Sequence, residues 1–181
     1  MANRIIAIGG EPATGKTSLV RTLIKRLTIA ENIPLRTFKY GLIQGLYSKQ
    51  DKLYIIGIYD ESLFSGTDKL SMAVQPAFME LTKTLEDSTI IFEGDRLFNQ
   101  SLFKERKCDI LVLEADDITK KLRHEDRKDT QTDKFLKAKK TKIKNIKDNY
   151  NTKRLPNNND VEREANLCYI MDLINEQNRT P

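Results

Sequence analysis

The sequence predicts an α/β protein built as a three-layer sandwich, in which helices cover both faces of a mostly parallel central sheet. Short apolar segments alternate along the chain with longer segments in which apolar residues follow helical spacing. Several of the short segments are apolar throughout rather than at every second position, which is typical of strands buried on both faces. The chain has 181 residues and no linker-like stretch, so a single domain over residues 1–181 is expected.

Five apolar segments are predicted to form strands. They are short and rich in Ile, Leu, Val or aromatic residues, which is the composition that strands favour. The four stronger candidates are residues 4–8, 53–59, 89–92 and 109–114, and the weaker one is residues 35–40. Residues 155–159 combine a proline with three asparagines, which indicates a turn before the last helix.

Helical spacing of apolar residues predicts three helices outside the basic part of the chain. The first begins at Thr17 and ends near residue 32. The second covers residues 68–85, and Pro76 is expected to kink it or split it. In the last helix Asp160 is expected to be the N-cap. The residues of that helix expected to face the core are Val161, Leu167, Ile170, Met171 and Ile174.

One basic region stands out from the mildly acidic remainder of the chain. The net charge is +5, and residues 119–154 contain 14 Lys and Arg against 5 Asp and Glu. The composition of this region predicts helices, and we expect it to form a lid. Concentrated positive charge favours partners that carry phosphate, whereas the alternative interpretation is a solvated helix surface.

The sequence favours a cytoplasmic protein that does not associate with a membrane. Its two cysteines, Cys108 and Cys168, are far apart and form no CxxC pair, as expected of ordinary reduced thiols. No apolar run approaches the roughly 20 residues that a membrane-spanning helix needs. The N-terminus lacks the apolar region and the cleavage site of a signal peptide.

Residues 10–17 match the phosphate-binding pattern GxxxxGK[ST] at every fixed position, and they lie between a predicted strand and a predicted helix. Glycines let backbone N–H groups surround a phosphate, and the helix N-terminus favours the same anion. The Lys16 ammonium would bind the β- and γ-phosphates, and the Thr17 hydroxyl would bind Mg²⁺. The pattern therefore predicts ATP and Mg²⁺ as ligands. The predicted nucleotide-binding residues are Gly10, Pro12, Ala13, Thr14, Gly15, Lys16, Thr17 and Ser18.

A second cluster follows the apolar strand at residues 89–92. Glu93 and Asp95 are two residues apart, so on a regular strand their side chains would point the same way. One carboxylate would hold Mg²⁺ and the other would accept a proton from an acceptor hydroxyl, and either assignment is open. Arg96 is a candidate to bind a phosphate with two hydrogen bonds. The alternative is a surface ion pair at the end of a strand.

Two arginines in the basic region are candidates for neutralising charge during phosphate transfer. Arg123 and Arg127 are four residues apart and would share one face of a helix. A lid that carries them would also exclude water from the reaction. The alternative is again a solvated helix surface. The single histidine, His124, is interpreted as a surface or lid residue, because no partner ligands for a metal accompany it.

These three clusters together resemble the nucleoside monophosphate kinase superfamily of P-loop kinases. Three segments further resemble a narrower group, the bacteriophage P-loop kinases that phosphorylate 5-hydroxymethyluracil in DNA. They are residues 66–76, 91–97 and 135–142. The resemblance implies that Thr17 and an acid at the strand end hold Mg²⁺ and that Asp95 is the base.

The resemblance also implies that residues 57–68 contribute to the acceptor pocket. Asp60 and Asp68 are therefore substrate-binding candidates and alternative bases, beside Arg96. The chain departs from the thymidylate kinase pattern at Glu11 and Pro12 of the loop and after Arg96. We therefore do not expect this chain to have the thymidylate-binding pocket of those kinases.

The expected function is transfer of the γ-phosphate of ATP to a hydroxyl, with the 5-hydroxymethyl group of a pyrimidine in DNA as the favoured acceptor. The expected catalytic residues are Lys16, Asp95, Arg123 and Arg127, and Lys142 is a further candidate for neutralising charge in the transition state. A deoxynucleoside monophosphate kinase and a nucleoside kinase are the alternatives within this class. A non-catalytic protein that binds ATP and switches shape is the alternative from another class.

Overall fold

The computed structural model describes residues 2–60, 65–126 and 131–179. In these residues seven strands form one sheet, in the order β2-β3-β4-β5-β1-β6-β7. The strands are β1 Arg4–Gly10, β2 Arg36–Tyr40, β3 Ile43–Ser48, β4 Leu53–Ile56, β5 Thr89–Glu93, β6 Asp109–Glu114 and β7 Thr152–Pro156. Strands β4, β5, β1, β6 and β7 are parallel, and the hairpin of β2 and β3 extends the sheet in antiparallel fashion at one edge.

Helices lie on both faces of this sheet, as the sequence predicts. They are α1 Lys16–Lys25, α2 Val74–Thr84, α3 Gln100–Glu105, α4 Asp117–Asp126, α5 Asp133–Asn149 and α6 Asp160–Arg179. A π-helical segment, Arg26–Ala30, continues α1, and a 3₁₀ turn, Thr67–Lys69, precedes α2. Apolar side chains of α1 and α6 pack on one face, and those of α2, α3 and α5 pack on the other. The α/β class and the mostly parallel sheet are therefore confirmed.

Four of the five strand predictions are confirmed, one predicted strand is too long, and two strands were not predicted. The predictions for residues 4–8, 35–40, 89–92 and 109–114 are confirmed, whereas the strand predicted over 53–59 ends at Ile56. Gly57 follows it with a φ of 121°, outside the strand region of backbone angles. Strands β3 and β7 were not predicted. Three of the five residues of β7 are exposed, so its sequence lacks a continuous apolar run.

The helix predictions are correct in place and wrong in detail. Pro76 does not kink the helix, because it is the third residue of α2, where a missing N–H breaks no helical hydrogen bond. The break comes earlier, between the 3₁₀ turn and α2. In α6 the capping side chain is that of Asn159 rather than Asp160, since its Oδ1 accepts a hydrogen bond from Glu162 N at 2.9 Å. Val161 is 80% exposed in the first turn, whereas the other predicted core residues of α6 are buried.

The basic region is helical in α4 and α5, as expected, and then enters the sheet as β7. The turn predicted at residues 155–159 accordingly begins later, after Pro156. None of the described helices combines the length and the apolar content that crossing a membrane requires.

Candidate functional site

The loop between β1 and α1 wraps tightly at the carboxyl end of the parallel strands. Gly10 has a φ of 147°, and a Cβ atom there would lie 2.5 Å from Leu113 O. Only glycine fits such a backbone and such a contact. The Thr14 hydroxyl donates a hydrogen bond to Glu11 O at 2.8 Å and closes the loop. The spacing of the motif therefore reflects backbone requirements that the fold imposes here.

The ammonium group of Lys16 lies across this loop. Lys16 Nζ donates hydrogen bonds to Gly10 O at 3.0 Å and to Glu11 O at 2.9 Å. These carbonyls hold a positive charge at the concave side of a loop that lies before a helix N-terminus. The ammonium charge and the helix N-terminus both favour an anion beside Lys16, because each contributes a positive potential there.

Thr17 and Glu93 meet across the interior of the site. Thr17 Oγ1 donates a hydrogen bond to Glu93 Oε1 at 3.0 Å, and Glu93 is only 1% exposed. Burial raises the pKa of Glu93 to about 7, and Lys16 and the Thr17 hydroxyl offset only part of that effect. Removal of water from a carboxylate disfavours its charged form unless a cation accompanies it.

This pair of oxygen donors fits Mg²⁺. A hydroxyl and a carboxylate that are 3.0 Å apart offer two hard oxygen ligands. Mg²⁺ in phosphate sites is held by one or two protein ligands, and water and phosphate oxygens complete its shell. No group of three His, Cys, Asp or Glu residues that could hold a metal ion occurs in the described part of the chain.

Asp95 has a different set of partners from Glu93. Strand β5 ends at Glu93, and Gly94 follows it with a φ of 110°. The Asp95 carboxylate accepts a hydrogen bond from Lys142 Nζ at 3.1 Å and another from Lys139 Nζ. Burial opposes ionisation of Asp95, but the two ammonium groups outweigh it, and the pKa of Asp95 lies below its ordinary value.

The segment before α2 packs directly on the end of β5. Thr67 Oγ1 donates a hydrogen bond to Glu93 O at 2.9 Å, and Asp95 N donates one to Asp68 Oδ1 at 2.7 Å. Gly66, with a φ of 72°, leaves no room for a Cβ atom beside Glu93 Oε1. The structure thereby places Asp68 next to Asp95, on the same side of the sheet end.

The other two predicted substrate-binding residues lie around this segment. Asp60 is exposed and forms an ion pair with Lys69. Residues 61–64 of the predicted acceptor pocket lie outside the described residues. Arg96 is half-buried, and its Nε donates a hydrogen bond to Leu70 O at 3.4 Å.

Helix α4 packs against the loop between β1 and α1. Arg123 donates hydrogen bonds to Ala13 O at 3.2 Å and to Asn157 O at 2.7 Å. Lys120 Nζ lies 3.0 Å from Glu11 Oε2. Arg123 thus contacts backbone carbonyls of the loop and of the segment after β7. The other predicted lid arginine, Arg127, lies outside the described residues.

Three side chains of this site were not among the predicted site residues. Lys139 contacts Asp95, Lys120 contacts Glu11, and Asn157 is buried with its Nδ2 donating to Thr14 O at 2.7 Å. The lysines belong to a segment with so many lysines that charge alone singles out none of them. Asn157 was assigned to a turn, and its contact with the loop joins residues 143 positions apart. Only the fold reveals such a contact.

Comparison with known proteins does not assign the chain to a family, so a functional assignment depends on the geometry of this site. The chain matches no model of a protein family, and it matches no curated protein.

Proposed function

We propose that this protein is a P-loop kinase of the nucleoside monophosphate kinase type that uses ATP and Mg²⁺. Its proposed acceptor is the 5-hydroxymethyl group of 5-hydroxymethyluracil in DNA. The contact between Thr17 and Glu93 is the observation that carries the proposal. It joins the phosphate-binding loop to a buried acid on the adjacent strand, which is the arrangement that Mg²⁺-dependent phosphate transfer uses.

Each part of the site has a role in this reaction. Lys16 and the loop amides bind the transferring phosphoryl group and stabilise its charge. Thr17 and Glu93 would hold Mg²⁺, which would supply positive charge to the phosphate oxygens when bound. We assign the metal to Glu93 rather than Asp95, because Glu93 is the acid that contacts Thr17. Asp95 lies two residues after Glu93, beyond the end of β5, and accepts the proton of the acceptor hydroxyl.

The remaining candidates act around this centre in the proposed mechanism. Asp68 fixes Asp95 through its backbone amide. Arg123 holds the loop, and Arg127 neutralises charge in the transition state. Arg96 and Asp60 take part in binding the acceptor.

The DNA acceptor rests on the sequence resemblance and on the basic helices beside the site. Helix α5 contains seven lysines and two aspartates. Positive charge of this density favours a phosphate backbone. A kinase of this type would act in the cytoplasm of an infected bacterial cell.

The test is incubation of the protein with γ-labelled ATP, Mg²⁺ and three acceptors in parallel. The acceptors are DNA that contains 5-hydroxymethyluracil, unmodified DNA and a mixture of deoxynucleoside monophosphates. Label in the modified DNA alone is the expected result. Label in the mononucleotides alone assigns the protein to nucleotide metabolism. ATP binding without label in any acceptor rejects the proposed acceptor and favours the switch protein.

A further inference from the structure

The sheet has an open edge at β2. This strand pairs with β3 on one side, and no strand among the described residues pairs with its other side. Four of the five residues of β2 are exposed, and Phe38 is half-buried. An open edge carries backbone N–H and C=O groups that can pair with a further strand. The residues of β2 therefore determine which kind of strand fits there.

The hydrogen bonds of the neighbouring strands identify the outward groups of β2. Gly57 N donates a hydrogen bond to Gln44 O at 2.8 Å, so Gln44 directs its backbone groups toward β4. Lys39 lies opposite Gln44 in the antiparallel register, in which bonded and non-bonded pairs alternate. Lys39 and Gln44 are thus a non-bonded pair. Lys39 and Thr37 accordingly direct their N–H and C=O groups to the open edge.

The sequence of β2 is complementary to a second copy of itself. An antiparallel pairing centred on Phe38 places Thr37 opposite Lys39 of the second copy, and two-fold symmetry repeats this pair. Because these residues carry the outward groups, the two pairs form four backbone hydrogen bonds. The same register places Phe38 opposite Phe38 and Arg36 opposite Tyr40. It thereby gives one aromatic pair and two contacts between a guanidinium group and a ring.

The tip of the hairpin and a cavity beside β2 also fit this pairing. Gly41 and Leu42 form the two-residue turn after Tyr40, and the Tyr40 and Leu42 side chains are 39% and 46% exposed. A cavity of about 550 Å³ lies at the other end of β2, and its lining includes Pro34 and Arg36. Because the paired strands are antiparallel, the apolar tip of each copy lies beside the cavity of the other. The two contacts are equivalent, so the assembly closes at two copies.

We propose that the β2 edge is the interface for a second copy of this chain, and that pairing of β2 with β2 joins the two sheets into one. The inference does not depend on the proposed kinase activity. Strand β2 runs parallel to β4, because each is antiparallel to β3. The antiparallel pairing of the copies therefore directs their candidate sites to opposite ends of the joined sheet. Activity per chain is expected to be the same in the monomer and in the dimer.

Sedimentation equilibrium of the full chain, over about 1–200 µM, measures the association. We expect the mass of a dimer at the top of this range. Association is expected to be weaker at low salt, because each edge carries the positive charges of Arg36 and Lys39. The mass of a single chain at every concentration, in salt of up to about 0.5 M, overturns the proposal.

Lys39→Pro tests the backbone pairing. It removes an N–H that points to the open edge and none that bonds to β3. Two of the four bonds between the copies are lost, so we expect the dissociation constant of the dimer to rise at least about tenfold. Lys39→Thr is the matched control, because it keeps the N–H and a side chain that strands favour, and its dimer is expected to persist. Circular dichroism and urea unfolding establish that both variants are folded. An unchanged dissociation constant in Lys39→Pro overturns the proposal.

An exchange of charge tests the register. Tyr40→Lys places an ammonium group opposite Arg36 of the second copy at two equivalent points, and is expected to raise the dissociation constant about tenfold. Combining it with Arg36→Glu replaces the repulsion by an ion pair and is expected to restore the dimer. Positions 36 and 40 lie at opposite ends of β2 within one chain, so restoration identifies a contact between copies. A combined variant that associates no better than Tyr40→Lys overturns the proposed pairing.

Amide hydrogen exchange distinguishes the possible occupants of the edge. The Thr37 and Lys39 amides are expected to be protected in the dimer and to exchange after dilution, whereas Phe38 keeps its bond to β3. Protection of Thr37 and Lys39 that persists in the diluted monomer means that another segment of this chain covers the edge, and it overturns the proposal. Fast exchange of both amides in a dimer places the interface elsewhere and also overturns it.

The proposed function and this inference fail separately. Phosphate transfer by a chain that stays monomeric rejects the interface and keeps the proposed function. A dimer that Lys39→Pro disrupts, without phosphate transfer to any acceptor, keeps the interface and rejects the proposed function.

Discussion

The two sides of the candidate site are held together by different kinds of contact. On the loop side, Lys16 binds backbone carbonyls, and Thr17 binds a carboxylate that is almost completely buried. On the α5 side, two long lysine side chains reach Asp95, and all three side chains are 23–29% exposed. The loop side is therefore organised before any ligand arrives, whereas the α5 side can exchange partners.

The physical reason is the environment of each contact. Hydrogen bonds inside a protein act in a low dielectric and are costly to leave unmade. Ion pairs that water reaches contribute only about 0–1 kcal/mol, so they exchange readily. The comparison teaches that the contacts of the loop side are rigid and that those of the α5 side can be exchanged. The variants below separate the two sides.

The largest expected effect is that of Asp95→Asn. The amide keeps the shape of the side chain but accepts no proton from the acceptor hydroxyl. We expect kcat to fall by about 10²–10⁴, the usual contribution of general base catalysis. ATP affinity is expected to stay within about twofold, because Asp95 lies outside the loop contacts.

The matched control is Asp148→Asn, an exposed acid on α5 that pairs with Lys144. Steady-state phosphate transfer and nucleotide titration measure both variants. Full activity in Asp95→Asn contradicts its role as the base and points to one of the alternative bases, Asp60 or Asp68.

Gly66→Ala tests how tightly the segment before α2 is packed on the end of β5. A methyl group there meets Glu93 Oε1, on a backbone with a φ of 72°. We expect a loss of roughly 2–4 kcal/mol in the free energy of unfolding, since both strain and overlap contribute. Urea denaturation measures it.

Gly41→Ala is the control for backbone strain alone. Gly41 has a φ of 55°, and a Cβ atom there has no neighbour within 4 Å. Its expected loss is about 1 kcal/mol. Equal losses of unfolding free energy in the two variants would show that the segment before α2 moves to accommodate the added methyl group.

Glu93→Gln tests how the buried Glu93 carboxylate makes the free energy of unfolding depend on pH. The pKa of Glu93 is about 7 in the folded protein, above its ordinary value of 4.5. Between these values the folded protein holds a proton that the unfolded chain has lost. This stabilisation is complete below the unfolded pKa and is lost as the pH rises through the folded pKa.

As the pH rises from 5 to 8, the free energy of unfolding of the wild-type protein is therefore expected to fall by on the order of 2 kcal/mol more than that of Glu93→Gln. Thermal or urea unfolding at several pH values measures the difference. Parallel profiles for the two proteins would contradict a raised pKa at Glu93. The variant should also lose Mg²⁺-dependent activity, because an amide is a poorer Mg²⁺ ligand than a carboxylate.

The smallest expected effect is that of Lys120→Met, which removes the ion pair between α4 and the loop. Lys120 and Glu11 are 17% and 25% exposed in their side chains, so water screens the pair only in part. A double-mutant cycle with Glu11→Gln is expected to give a coupling free energy below about 1 kcal/mol. A coupling of 2 kcal/mol or more would make α4 a rigid part of the loop side.

Much of the fold follows from local patterns in the chain. The apolar runs that became β1, β5 and β6 were predicted because buried parallel strands are apolar on both faces. Strand β7 was missed because its pairing with β6, rather than its own composition, makes it a strand. Strand β3 was missed for a related reason, since Gly45 interrupts it and β2 and β4 hold it on both sides.

In the candidate site the residues that are neighbours in sequence were found, and those that meet only in space were not. The loop motif, Glu93 and Asp95 stand in short segments with a recognisable spacing. The sequence left open which of the two acids faces Thr17. Lys139 could not be distinguished from the six other lysines of α5.

The sequence by itself determined the glycine-containing loop at residues 10–17, its position between a strand and a helix, and the acids at the end of β5. These features depend on residues that are adjacent along the chain, where steric and hydrogen-bonding requirements act directly. The tertiary structure alone decided three sets of contacts. Thr17 donates a hydrogen bond to Glu93, Lys139 and Lys142 pair with Asp95, and Asn157 donates a hydrogen bond to the loop. Those contacts depend on which strands become neighbours and on how α5 packs across them, and no local spacing encodes that arrangement.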